Sequence, residues 1–468
     1  MRNQNQQKVG AAGTADAVGE LGAGERASEA PASRRIRPLK VAIVGFGTVG
    51  RSVAKVLCDA PPASLRLVQI CNRNVERKKV SWVPPDVRWT ERFEDVLSSD
   101  ADIVVELIGG LEPAGDMIRR ALLAGKSVVT ANKQLIALHG VELLELAGRQ
   151  RRELLFEASV AGGIPIVRAV REGLAGDRLL RIAGILNGTC NYILSRMDSA
   201  GLSFADALKQ AQELGFAEAD PTDDVDGLDA RAKLAILVAV GLRCQIRPTD
   251  IATRSISCVD PIDFTYARKL DCTIRQVSWA EKGREKGQRL YASVRPALVP
   301  RSSPLARVEG SQNLVTVLGE FGGETTFSGF GAGGDPTAVA VVSDLVSIAR
   351  AGQGSDVHFV PHLDGMMEVD PDFVAPHYIR FTVEDRPGII AALATVLSSH
   401  GINIDAVLQL PGHSKTQLPF VMTLEACPLS VLNAALREIE ALSFHAKPPM
   451  TVPILGVEHQ AGESEGRA

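Results

Sequence analysis

From Leu39 onward, hydrophobic positions fall into short apolar runs separated by stretches of helical period. LKVAIV is a run of strand type, GFGTVG interrupts it with glycines, and RSVAKVL carries apolar residues at helix spacing. The segment therefore predicts a strand, a tight turn and a helix. LRLVQICNRN, ADIVVELIGG and GKSVVTANK read as further strands, separated by helix-like stretches such as EPAGDMIRRALLAG. Apolar strands alternating with helices predict a parallel sheet with right-handed crossovers.

The texture changes at Glu153. ELLFEASVAGGIPIVRAVREGL reads as a strand, a glycine-rich turn and a helix that open a second α/β unit, followed by RLLRIAGILNGTCNYILSRM. Helices are expected at 203–214 and 228–240, strands near 288–294 and 312–318, and a glycine turn leading into an apolar helix at 329–350. Residues 353–375 lack regular periodicity and are expected to be a linker. Beyond them the pattern runs β-α-β-β-α-β, a ferredoxin-like order, to about residue 460. Residues 1–36, rich in Ala, Gly, Glu and Ser, have no apolar core of a signal peptide and are expected to form a disordered tail.

Composition narrows the function. A chain of 468 residues has room for about three domains. Lys+Arg 51 against Asp+Glu 55 gives a net charge of −4, without the basic field of a general nucleic-acid binder, so small-molecule partners are expected. An apolar fraction of 45% with 4% aromatic fits an aliphatic α/β interior. No apolar run reaches the roughly 18 residues of a membrane span, so no membrane partner is expected. Cysteines at 58, 71, 190, 244, 258, 272 and 427 form no CxxC pair, so reduced thiols and a cytoplasmic location are expected.

The first chemical motif is Gly45-Phe46-Gly47-Thr48-Val49-Gly50, a GxGxxG between strand and helix. There the glycines allow a tight turn, approach of backbone to a pyrophosphate, and close strand–helix packing. Cofactor choice is read at the end of the second strand, where NAD enzymes commonly carry an acid for the ribose 2′-hydroxyl. Here the sequence is Cys71-Asn72-Arg73-Asn74, with Arg77, Lys78 and Lys79 beyond. NADP(H) is expected over NAD(H), with Arg73 nearest the 2′-phosphate; a solvated, charged helix start is the other reading.

Six carboxylates fall between Glu218 and Asp229. With Gly227 at position 6 of a calcium loop, position 12 is Lys233, and a cation there excludes that reading. Asp229 and Lys233 stand i,i+4 on one helix face, either as an ordinary ion pair or as a carboxylate orienting a proton-transferring lysine. Thr130-Ala131-Asn132-Lys133 puts Lys133 at the carboxyl edge of the first sheet, where open α/β folds bind ligands. Asn187-Gly188-Thr189-Cys190-Asn191 opens a helix in the same manner, with Cys190 expected to be a packed thiol.

These blocks resemble the homoserine dehydrogenases, in the single-function form with a C-terminal ACT domain. GFGTVG, TANKQLIA, EASVAGGIPI, GILNGTCNYIL, LGFAEADPTDDVDGLDARAKLAIL and GFGAGGDPTA follow that family's order over 39–350. The resemblance implies a Rossmann-type domain at 37–155 completed by 329–352. An α+β substrate and dimerisation domain at 156–328 and an ACT domain at 376–460 follow from it. It implies NAD(P)H-dependent interconversion of L-aspartate 4-semialdehyde and L-homoserine, on the route to threonine, methionine and isoleucine.

Carried over by position, Lys233 is the proton donor and Lys133 lies near cofactor and substrate. Gly215, Glu218, Asp224 and Asp229 fall at the substrate. Gly331 and Gly333 reach the nicotinamide side. Glu157, Val160, Gly162 and Ile164 align with a monovalent-cation (sodium) site. In the ACT segment, Asp385 and Gly388 mark an effector turn, with L-threonine the implied ligand, although Met422-Thr423-Leu424-Glu425 departs from the usual Thr-His. A homodimer or higher homo-oligomer is also implied. Two alternatives stand beside this reading: an ACT-bearing 2-hydroxy-acid dehydrogenase, whose His base finds no matching block here, and a catalytically inactive amino-acid sensor, against which both lysines argue.

Overall fold

The computed structural model describes residues 37–283, 289–351 and 365–456. The expected tail at 1–36 and the first part of the expected linker, 353–364, lie outside these residues.

The first sheet contains β1 (Leu39–Val44), β2 (Leu65–Cys71), β3 (Arg88–Thr90), β4 (Ile103–Glu106), β5 (Ser127–Thr130) and β6 (Leu154–Leu155) in the order 3-2-1-4-5-6. Every pairing is parallel. On β1, Val41 and Ile43 pack under the helices Thr48–Asp59 and Gly334–Ala351. Ala42 and Val44 face the helices Ala114–Leu123 and Lys133–Arg149. Burial on both faces explains why β1 reads as an unbroken apolar run. Strand order reverses between β1 and β4, which opens a crevice at their carboxyl ends. Leu154–Leu155, which periodicity groups with the second unit, is instead the last strand of the first sheet, paired with β5. Two residues are too few to carry a period of their own.

The second sheet contains β7 (Leu179–Ile185), β8 (Ala252–Thr253), β9 (Cys272–Lys282), β10 (Leu290–Pro300), β11 (Gln312–Gly319) and β12 (Gly323–Phe330), ordered 12-11-7-9-10-8. All neighbours are antiparallel except β8 on β10. The strand expected near 288–294 continues to Pro300 because its whole length pairs with β9, a strand the periodicity did not reveal. Helix Leu228–Leu237 lies where the first two units meet: Ala230 and Leu234 share one core with Leu135 and Leu143 of the first and Val294 of the second. This packing brings the two lysine-bearing helices side by side.

The third sheet is antiparallel, with β13 (Val374–Val383), β14 (Ile404–Leu408), β15 (Leu418–Pro428) and β16 (His445–Pro453) ordered 14-15-13-16. Along β13 the sides alternate as a strand requires. Ile379 and Phe381 pack under the helices Ile389–Ser399 and Leu429–Glu440. Tyr378 joins Phe264, Ile274 and Leu298 of the middle unit. Arg380, on the same side as Tyr378, reaches Asp260 at 2.7 Å and Asp263 at 2.8 Å. β13 begins two residues inside the expected linker, and Met366 and Val369 bridge to Gln245 and Leu290, so the described end of that segment runs along the middle unit.

Candidate active site

The glycine turn forms the first wall. Gly45 takes a φ of +102°, and a Cβ there would lie 2.7 Å from the Leu107 carbonyl, so only glycine fits between β1 and the loop after β4. A Cβ on Gly50 would sit 2.1 Å from the Gly45 oxygen, whereas Gly47 has open space above it. The helix beginning at Thr48 has no side-chain cap, so its first-turn N–H groups are left for an anion. Thr48 is exposed and Val49 half-buried at this helix start. Phe46 differs: its ring is fully buried against Trp89, and its N–H donates to Asn72 Oδ1 at 2.9 Å. It supports the turn from beneath and has no N–H left for a phosphate.

Asn72 turns its side chain back to that turn, and Arg73 is exposed beyond it. No carboxylate occupies the end of β2. The late glycine segment meets the same place. A Cβ on Gly334 would come within 3.0 Å of Thr48 and Ser52, and the Ser52 hydroxyl donates to Asp335 at 2.8 Å. Gly333 has a φ of +117°, a Cβ on Gly331 would clash with the Asn313 side chain, and one on Gly162 would lie 2.7 Å from the Gly331 carbonyl. Both glycine turns therefore converge, although they lie far apart along the chain.

The loop holding Glu157, Val160, Gly162 and Ile164 is buried, with consecutive positive φ at Ala161 and Gly162. The Glu157 carboxylate accepts N–H bonds from Val167 and Arg168, both at 2.8 Å. Burial nevertheless pushes its pKa upward, against those bonds and the nearby arginines. Each oxygen keeps acceptor capacity, and with the loop's carbonyls this is a donor set suited to a monovalent cation.

Beyond the carboxyl end of β5 lies a cleft of about 470 Å³, lined by Leu111 and Lys133 on one side and by Glu218, Asp220, Asp223, Asp224 and Asp229 on the other. Asp229 is the centre of its charge. Its Oδ1 lies 3.0 Å from Lys133 Nζ and its Oδ2 2.7 Å from Lys233 Nζ. Burial alone would raise the Asp229 carboxyl, but the Lys233 and Lys133 ammoniums outweigh it and hold it well below the usual carboxylate range. The same carboxylate raises Lys133. Lys233 also donates to the Leu186 carbonyl at 2.8 Å, which fixes its direction.

Asn187 caps the helix Gly188–Ala200 with its Oδ1 and uses Nδ2 to hold Asp224 at 2.6 Å and Asp229 at 3.0 Å. Burial raises the Asp224 carboxyl, partly offset by the Asn187 bond. Cys190 lies fully buried behind this group, its thiol pushed well up by burial, which excludes it as a nucleophile. Glu218 is exposed on the cleft, whereas Gly215 ends the preceding helix at a φ of +75° and does not line it.

Sequence reasoning missed two residues. One is Asn187 as the clamp on both aspartates. The other is Glu106, buried at the end of β4, whose signal was a carboxylate inside the apolar run IVVELI. Asp385 and Gly388 belong to the third-sheet unit and take no part in the cleft. Gly388, at the start of the helix Ile389–Ser399, has a φ of +94° and open space where a Cβ would stand.

Comparison with known proteins adds independent support. Residues 45–157 match the family model for the NAD-binding domain of homoserine dehydrogenase, residues 165–346 that for homoserine dehydrogenase, and residues 377–444 that for the ACT domain. The chain is 38% identical to a homoserine dehydrogenase of Bacillus subtilis over 81% of its own length and 90% of the relative's. A homoserine dehydrogenase structure from Thiobacillus denitrificans superposes with a TM-score of 0.82 at 36% identity, covering 89% of this chain and 98% of that one. A hyperthermophilic archaeal homoserine dehydrogenase in complex with NADPH matches with a TM-score of 0.57 at 29% identity, covering 68% and 99%. A Rossmann-type sheet with its glycine turn, a lysine–aspartate–lysine cleft and a C-terminal ACT fold thus coincide with these matches, and the chain belongs to the homoserine dehydrogenase family of oxidoreductases.

Proposed function

We propose that this cleft reduces L-aspartate 4-semialdehyde to L-homoserine with NADP(H) in preference to NAD(H), in the biosynthesis of threonine, methionine and isoleucine. The observation that carries the reading is Asp229 held between two lysines at the mouth of the nucleotide crevice. When bound, the reduced cofactor supplies hydride to the aldehyde carbon. Lys233, directed by Asp229 and the Leu186 carbonyl, gives its proton to the oxygen on which negative charge develops. Lys133 adds positive charge on the cofactor side. Glu218 suits the substrate ammonium, and Asp224, steadied by Asn187, completes the acidic side.

The preference for the 2′-phosphate rests on Arg73 and on the absence of an acid at the end of β2, where Asn72 serves the glycine turn instead. The loop at Glu157, Val160, Gly162 and Ile164 suits sodium, and lies against Gly331 of the late glycine turn. The Asp385–Gly388 turn suits the carboxylate of an amino-acid effector, with L-threonine the first candidate. Among the described residues no strand pairs with the outer edge of β12, which supports a homodimer or larger homo-oligomer. No helix among the described residues is long and apolar enough to cross a membrane. None of the seven cysteines forms a disulfide, which suits a reducing, cytoplasmic location.

Semialdehyde-dependent oxidation of NADPH and NADH, followed at matched concentrations, tests the reading. The expected result is turnover with both substrate and cofactor present and a higher kcat/KM for NADPH. Equal values for both cofactors would remove the preference, and no turnover with either would remove the function.

A further inference from the structure

Glu106 is the last residue of β4, at the point where strand order reverses, and is 1% exposed. A carboxylate buried so deeply needs donors. It has three. Oε1 accepts the N–H groups of Ile108 at 2.8 Å and Gly109 at 3.0 Å, and Oε2 accepts the Thr130 hydroxyl at 2.6 Å.

Thr130, the last residue of β5, accepts the Asn132 N–H at 3.0 Å with the same hydroxyl oxygen. Asn132 then faces two ways. Its Oδ1 accepts the Leu135 N–H at 3.1 Å and caps the helix that starts at Lys133, while its Nδ2 donates to the Gly110 carbonyl at 2.6 Å. The bonds close a ring from Glu106 through Thr130 and Asn132 to the loop 108–110 and back.

Two parts of the site hang on this ring. The loop carries consecutive left-handed glycines, Gly109 and Gly110, and its Leu107 carbonyl abuts Gly45 of the nucleotide turn. The helix start carries Lys133, which pairs with Asp229 across the cleft. We propose that Glu106 is a positioning residue: through its carboxylate it sets the wall of the nucleotide crevice formed by loop 107–111 and the origin from which Lys133 reaches. The inference rests on the reading of the cleft given above.

Both carboxylate oxygens are used as acceptors, so charge and shape are read together. Glu106→Gln keeps the volume but turns one acceptor into a donor facing the Thr130 hydroxyl, whose proton then loses its acceptor. Thr130→Val removes the hydroxyl with little change of shape, and Thr130→Ser restores it.

The experiment measures kcat, KM for NADPH and for NADH, and Tm for Glu106→Gln, Thr130→Val, their double variant, Thr130→Ser and, separately, Lys133→Ala. Expected are KM values for the reduced cofactor raised by ~10-fold in both single variants, as misplacement of a binding wall produces. The double variant is expected to be no worse than the poorer single one, because both break one ring. Thr130→Ser is expected to return KM to within about two-fold of the unmodified protein. A Tm loss without any KM change, or KM effects that multiply in the double variant, overturns the proposal. If Lys133→Ala is also inert, the reading of the cleft itself fails; if Lys133→Ala is crippled and the ring variants are not, only the role of Glu106 fails.

Discussion

Lys133 Nζ lies 3.0 Å from Asp229 Oδ1, an ion pair that joins the edge of the first sheet to a helix packed against the second. Asp229 thereby holds two ammoniums at once, which an isolated helix ion pair never does. Removing its charge while keeping its shape leaves Lys133 and Lys233 facing each other. Asp229→Asn is expected to lower kcat/KM by ~10²-fold or more, the scale of a lost acid–base element, as read by semialdehyde-dependent oxidation of NADPH.

The same residue predicts an acid limb in stability. Its carboxyl pKa is depressed in the folded protein, so its stabilisation is complete above the unfolded pKa, near ~4, and is lost as pH falls below that value. Thermal unfolding between pH 7 and pH 3 is expected to show a smaller acid loss in Asp229→Asn than in the unmodified protein.

Lys233→Ala removes the proposed proton donor and leaves Asp229 and Lys133 paired. A fall in kcat of ~10²-fold or more is expected, with cofactor affinity nearly unchanged when titrated directly. Activity near the unmodified level would reassign the proton.

Arg73→Ala tests cofactor choice. A charge-assisted bond to a 2′-phosphate is worth about 1.5–3 kcal/mol, roughly one to two powers of ten in affinity. KM for NADPH is therefore expected to rise ~10-fold or more while KM for NADH stays put. A parallel change in both would place Arg73 elsewhere in the mechanism.

Between the third sheet and the middle unit, Arg380 meets Asp263, a fully buried carboxylate that also accepts the Tyr378 hydroxyl at 2.8 Å. Burial raises the Asp263 carboxyl, against the pull of Arg380. Arg380→Ala leaves that carboxylate without its cation and is expected to cost about 3–5 kcal/mol, seen as a drop in Tm. His377 on the same strand is buried, and burial lowers its pKa to about 4. Between that value and ~6.5 the unfolded chain takes up a proton that the folded one refuses, so stability rises with pH across this window, by at most about 1.4 kcal/mol per unit. His377→Leu is expected to flatten that slope in pH-dependent denaturant unfolding.

What the sequence reveals follows from how local each constraint is. The glycine turn is legible because a backbone demand at Gly45 and Gly50 leaves no other residue possible. Asp229 and Lys233 are legible because four residues on a helix bring side chains together. Lys133 with Asp229, Asn187 with both aspartates, and the Glu106 ring are not, because sheet order and the packing of two units bring them together and spacing along the chain carries no trace of either. The strand β9 and the placement of Leu154–Leu155 escape periodicity for the same reason: a strand's membership is decided by its neighbours.

The helix Gly334–Ala351 covers the face of the first sheet with Ala338, Val341 and Leu345, packed on Val41, Ile43 and Val53. During synthesis the strands of that sheet leave the ribosome long before this cover does. The second sheet's last strand ends at Phe330, so all of its strands are made before this cover is complete at residue 351. The earliest-made strands thus gain their full cover only from a segment made after every strand of the second sheet.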